Sequence, residues 1–152
     1  FGRVSCERIL SGAGLVLVYR FLRERGEYPE SQKLAAMRGD ADPAPAITQA
    51  ALVDKDPLAA QAVDLFLRIY GAHAGDVALT VLATGGVYIA GGIAAKMIAA
   101  IQTGGFMQAF NDKGRMSPLT QAMPVHVVMN PRVGVMGAAL VAARLAKDPD
   151  RT

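Results

Sequence analysis

Apolar positions recur on a helical period over most of this chain. Leu15, Val18, Tyr19 and Leu22 follow one another at three and four residues after Ser11, a residue type that caps helix starts. Gly26 stands where a left-handed helix terminator belongs. A weaker signal precedes them, with Ser5 as a cap and Glu7 in the first turn, so the pattern predicts a short helix, a kink near Gly12 and a longer amphipathic helix. Asp56-Pro57 pairs a capping carboxylate with a proline in the first helical position. Leu58, Ala62, Leu65, Phe66, Ile69, Tyr70 and Val77 then keep the period until Gly85 ends it. This segment is expected to form the longest helix, with Gly71 and Gly75 as points of close packing.

Elsewhere the period changes or disappears. From Gly26 to Ala46 the sequence "GEYPESQKLAAMRGDADPAPA" is rich in charge, proline and glycine, and a surface loop is expected. Val87 to Ala90 lacks polar alternation, as strands covered on both faces do. A second strand is expected over "VHVVM", Val125 to Met129, broken by Asn130-Pro131. Helices are expected over Ala94–Ile101, Phe106–Phe110 and Val133–Leu145, with Asn111 to Arg115 as a solvated polar turn. In the last helix Gly134, Gly137, Ala138 and Ala142 would allow tight contact. Helices outnumber strands, and the closing strand-helix-strand-helix order indicates an α/β layer with parallel strands.

Composition narrows the class. The 152 residues suit one domain with a sizeable core, and 52% of them are hydrophobic. Apolar runs such as Leu15–Tyr19 fall far short of the ~18 residues of a membrane span, so no membrane is implied. Sixteen basic and thirteen acidic residues leave a net charge of +3 with no block of either sign, which gives no footprint for nucleic acid. Cys6 stands alone, which excludes an internal disulfide, and with only His73 and His126 beside it no zinc set is expected. A reducing, cytoplasmic setting follows as the default. The chain starts at Phe1 with no signal-like segment and reads as a piece of a longer polypeptide.

Two features carry candidate chemistry. In "GGVYIAGGI", Gly85 to Ile93, a short strand ends in Gly91-Gly92 just before a helix, which would let a ligand lie against bare backbone. The stretch is neither a GxGxxG nor a Walker loop, and a mere tight strand-helix turn satisfies the same pattern. Glu7 lies near a helix start that favours its charge. Its carboxylate, an acceptor only, could receive two sugar hydroxyls, or could simply be a first-turn residue paired with Arg3 or Arg8. Histidines 73 and 126 read as a packed or surface residue and a solvent-facing strand residue, and Cys6 as a small buried hydrophobe.

Taken in order, "VSCERILSGAGLVLVYRFL", "ALTVLATGGVYIAGGIAAKM", "GGFMQAFNDKGRM" and "MPVHVVMNPRVGVMGAALVAARL" resemble the C-terminal part of the bacterial glucokinase family, within the sugar kinase, actin and Hsp70 superfamily. The resemblance covers nearly the whole chain outside Gly26–Ala46. It implies one ribonuclease-H-like lobe, helix-rich with a short, mostly parallel sheet, spanning residues 1–152. The implied activity of the complete protein is transfer of a phosphoryl group from ATP, with Mg²⁺, to the 6-hydroxyl of glucose.

The resemblance also assigns roles. Glu7 matches the glutamate of the family's S-x-E-R segment, which receives glucose hydroxyls, and Gly91 and Gly92 match its adenosine-binding segment. Gly134 to Ala142 resembles the helix connecting the two lobes. The family's D-x-G-G-T phosphate loop, its catalytic aspartate and the rest of its sugar site match nothing here, so the N-terminal lobe is implied to lie elsewhere. The chain alone is then expected to be inactive, with no catalytic residue and no metal ligand of its own. Ala13 stands where related sequences often have proline, a harmless departure. Two other readings fit the same fold: a sugar-sensing regulatory module, with a DNA-binding domain fused elsewhere, or a non-enzymatic fragment that keeps a homodimer interface on its long helices.

Overall fold

A computed structural model describes residues 2–37 and 42–147. Its centre is a long helix, α4 (Pro57–Thr80), started by Asp56, whose Oδ1 accepts a hydrogen bond from the Ala59 N–H at 2.8 Å. The expected cap and first-turn proline therefore act as their types dictate. Helix α1 (Gly12–Arg25) lies against α4, capped by Ser11 Oγ on the Gly14 N–H at 3.1 Å and ended by Gly26 at φ +71°. A 3₁₀ turn over Cys6–Arg8 precedes it. The close approach here is at Gly14, where a Cβ would stand 2.7 Å from the Arg8 carbonyl oxygen, rather than at Gly12. Cys6 lies on this turn and is exposed, because no described element covers the turn's outer side.

The most extensive contact in the molecule joins α4 to α7 (Gly105–Asn111). Gly71 and Gly75 share one face of α4 at a spacing of four, and Phe106 and Phe110 share one face of α7 in the same way. The missing side chains let the α7 backbone rest directly on α4, so both phenylalanines are completely buried. Each such burial contributes roughly 2–3 kcal/mol. Tyr70 meets Phe106 edge to face at 5.6 Å and Phe66 at 6.3 Å, which extends the cluster along α4.

Strands β1 (Val87–Ile89) and β2 (Val125–Val127) pair in parallel, with Val87 opposite Val125 and Ile89 opposite Val127. Helices between them, α5 (Gly92–Lys96), α6 (Ile98–Ile101), α7 and α8 (Ser117–Gln121), complete a helix-rich α/β fold. The expected helix over Ala94–Ile101 is broken at Met97, which is buried and leaves helical geometry at ψ +13°. The first strand is not covered on both faces as its composition suggested. Ile89 is buried on the helix side, but Tyr88 is 68% exposed and stacks on the exposed His126 ring at 5.0 Å. No described helix lies over that side.

The segment from Gly26 to Ala46 differs from the expected loop. It contains α2 (Gln32–Ala36) and the start of α3 (Ala44–Gln49), which runs into a π-helical segment over Ala50–Asp54. Buried Leu34 and Ile47 anchor these short pieces to the core, and two isolated apolar residues leave no period to read. Part of the expected loop, residues 38–41, lies outside the described residues. The polar turn after α7 is also not simply solvated. Lys113 has a side chain only 9% exposed, donates to the Ala72 carbonyl of α4 and pairs with Asp76, both at 2.8 Å.

The final helix, α9 (Val133–Lys147), forms where expected but buries none of its residues. Residues 133–143 include no polar side chain, so α9 is apolar around its whole circumference. A helix of that kind is ordinarily enclosed by protein. Among the described residues nothing stands within 4 Å of a Cβ built on Gly134 or Gly137.

Candidate functional site

The turn from β1 into α5 gives the site its shape. Gly91 sits at φ +115°, a conformation that L side chains rarely adopt, and it caps α5 without a side chain. Gly92 then opens the helix, and a Cβ at either glycine would meet nothing within 4 Å. Space therefore lies in front of both residues, enough for a ligand to approach the bare backbone.

Gly92 borders a pocket of about 580 Å³, a size common for small-molecule and cofactor sites. Four separate segments build it: Ser11, Gly12 and Leu15 from the start of α1; Asp42 to Val53 around α3; Phe66 from α4; and Gly92, Ile93, Lys96 and Met97 from α5. Leu15, Phe66, Ala44 and Met97 are buried and make an apolar floor. Polar groups are few and lie around it. Ser11 Oγ accepts from the Gly14 N–H, so its own proton remains available to donate. Thr48 Oγ1 donates to the Ala44 carbonyl at 2.9 Å, which leaves its lone pairs to accept. Asp42 accepts from the Ala44 N–H at 3.2 Å through one oxygen. A flat apolar ring with a polar edge is the ligand shape this lining suits.

The other sequence-derived candidate is placed apart. Glu7 lies on the exposed 3₁₀ turn, in no ion pair among the described residues, and does not line the pocket. Gly91 is at the turn beside the pocket rather than in its wall. Phe66, Met97, Thr48 and Lys96 were not singled out from the sequence. Only Lys96 carried a local signal, four residues beyond Gly92 and so about one helical turn away. No three His, Cys, Asp or Glu side chains among the described residues come together to hold a metal ion. No helix among them is long and apolar enough to cross a membrane.

A second cavity, of about 310 Å³, opens between α1, α2 and α3. There the Tyr19 hydroxyl donates to Glu30 Oε1 at 3.2 Å, and Arg23 approaches the same carboxylate at 3.6 Å. Burial, reinforced by the Glu30 charge, pushes the Tyr19 phenol well above its ordinary value.

An α/β lobe with a pocket beside the C-terminal end of a parallel strand is the class defined by these features. The family model described as Glucokinase matches residues 1–145, and the chain belongs to the glucokinase family. Glucokinase of Nostoc punctiforme is 46% identical over 94% of this chain and 45% of its own length. Glucokinase of a Synechocystis species is 46% identical over 94% of the chain and 43% of its own length. A crystal structure of glucokinase from an Antarctic psychrotroph superposes with a TM-score of 0.73 at 26% identity, covering 94% of this chain and 42% of that one. The chain thus spans less than half the length of these relatives, and the expected family and lobe fold are both shown.

Proposed function

We propose that this chain supplies the nucleotide side of a cytoplasmic, ATP-dependent glucokinase, in which the complete protein transfers the γ-phosphoryl group of ATP to the 6-hydroxyl of glucose. One observation carries the reading: Gly92, bare and unobstructed, borders a pocket whose floor is apolar and whose edge is polar. Adenine presents two apolar faces and a hydrogen-bonding rim, and the floor of Leu15, Phe66 and Met97 can bury one face while Thr48 and Gln49 meet the edge. A donor lacking a base, such as inorganic polyphosphate, would gain nothing from this apolar floor.

The chain's own residues position substrates and carry out no bond chemistry. Fixing the nucleotide contributes orientation, which together with electrostatic stabilisation is what a protein gives phosphoryl transfer. Glu7, on its exposed turn, is proposed to accept glucose hydroxyls once the rest of the sugar site is in place. No group of three carboxylate, histidine or cysteine side chains converges among the described residues, and no step is assigned to Mg²⁺ through them. Helix α9, apolar on every side up to Arg144 and uncovered among the described residues, is proposed to connect this lobe with the other and to be enclosed between them.

The test is Gly92→Leu in the complete enzyme. A side chain there meets no protein atom within 4 Å of its Cβ, so folding is expected to be unchanged while the added bulk fills the pocket. The KM for ATP should rise at least tenfold with little change in the KM for glucose. An unchanged ATP KM would remove the pocket from the nucleotide site.

A further inference from the structure

Within the pocket lining, charge is distributed unevenly. Among the described lining residues Lys96 is the only cation and Asp42 the only anion. They come from different segments, Lys96 from α5 and Asp42 from just ahead of α3. No hydrogen bond or ion pair joins Lys96 to any described residue. Its neighbours on α5 show where the amine stands relative to the floor. Met97 is buried and Ile93 half-buried, whereas Lys96 is exposed, which sets it on the rim above them on the same side as Gly92.

We infer that Lys96 is the phosphate contact of this pocket, so that the site takes a nucleotide and discriminates it from the bare nucleoside. The inference rests on the nucleotide reading given above and adds to it a specificity-determining residue. A base lying on Phe66 and Met97 must direct its ribose and first phosphate outward, past Gly92, where the chain has no side chain to obstruct them. The nearest side chain of opposite charge is then the unpaired ammonium of Lys96, a flexible point charge with three donors. Asp42 would repel a phosphate and suits hydroxyl donors instead. Because Lys96 is solvent-accessible, its contribution is screened by salt.

Isothermal titration of the complete enzyme containing this chain with adenosine and with ATP, for the native sequence, Lys96→Met and Lys96→Arg, tests this. Loss of a charge-assisted contact should weaken ATP binding by about tenfold in Lys96→Met and leave adenosine within about twofold. Lys96→Arg should restore most of the ATP affinity, and added salt should weaken ATP binding to the native enzyme more than to Lys96→Met. If the native enzyme binds ATP and Lys96→Met binds ATP equally well, or loses adenosine to the same extent, the Lys96 assignment is wrong and the pocket reading stands. If the native enzyme binds neither adenosine nor ATP, the nucleotide reading fails and the assignment falls with it.

Discussion

The contact of α4 with α7 gives a sharp test of how this lobe is held together. In Gly71→Ala the new Cβ would stand 3.1 Å from Cα and 2.9 Å from the carbonyl carbon of Phe106, and closer still to its oxygen. Ordinary carbon contacts lie near 3.5–4.0 Å, so α7 must retreat by roughly 1 Å. The obstacle is backbone and cannot rotate aside, which places the strain near the upper end of overpacking, about 3 kcal/mol. Retreat also loosens Phe106 and Phe110, both fully buried, which removes about 1 kcal/mol more if some 40 Å² of apolar surface is exposed. Alanine's better helix propensity offsets about 1 kcal/mol. The net loss is about 3 kcal/mol, or a fall in Tm of roughly 6–12 °C for a chain of this size. Urea and thermal unfolding followed by far-ultraviolet circular dichroism would measure it. Gly134→Ala is the internal control, since no atom lies within 4 Å of its Cβ and only the propensity gain remains. Equal stability of Gly71→Ala and the native chain would refute the close-packed account of this contact.

Three further outcomes follow from polar side chains. Lys113→Met keeps the length of the side chain but removes its bonds to the Ala72 carbonyl and Asp76, and should destabilise by about 1–2 kcal/mol in urea unfolding. Asp76→Asn, at a carboxylate that is 66% exposed, should cost under about 0.5 kcal/mol. Tyr19 is protected in its neutral form by burial and by Glu30, so its folded pKa lies above its unfolded value near 10. The resulting stability is fully present below pH 10 and is lost as the pH rises above it. Tyr19→Phe should therefore flatten the alkaline fall in urea midpoint, and an unchanged slope would show that Tyr19 does not drive it.

Much of this architecture was legible where neighbouring residues determine structure. Ser11, Gly26 and the Asp56-Pro57 pair set helix ends by local hydrogen bonding and φ preference, and they do so here. Gly71 and Gly75 were readable as packing points because a small residue on an apolar helical face has few other uses. The failures share a cause, which is contact between residues far apart in sequence. Lys113 read as solvated because its partner carbonyl is 41 residues away. Leu34 and Ile47 order a segment whose composition resembles a loop, and each is a single anchor without a period around it. "VYIA" implied two covered faces, but described residues cover only one and leave Tyr88 outside. The pocket was half visible: the Gly91-Gly92 turn is local, whereas Leu15, Thr48 and Phe66 reach it from three other elements.

The central claim is that the pocket beside Gly92 holds a nucleotide, and Met97 in its floor is a direct reporter. In a methyl-carbon NMR spectrum of the chain labelled at its seven methionines, with Met97 assigned through Met97→Leu, ATP is added to saturation. The account expects the Met97 methyl resonance to shift, while those of Met129 and Met136, which do not line the pocket, stay in place. A Met97 resonance that does not move at any ATP concentration would contradict it.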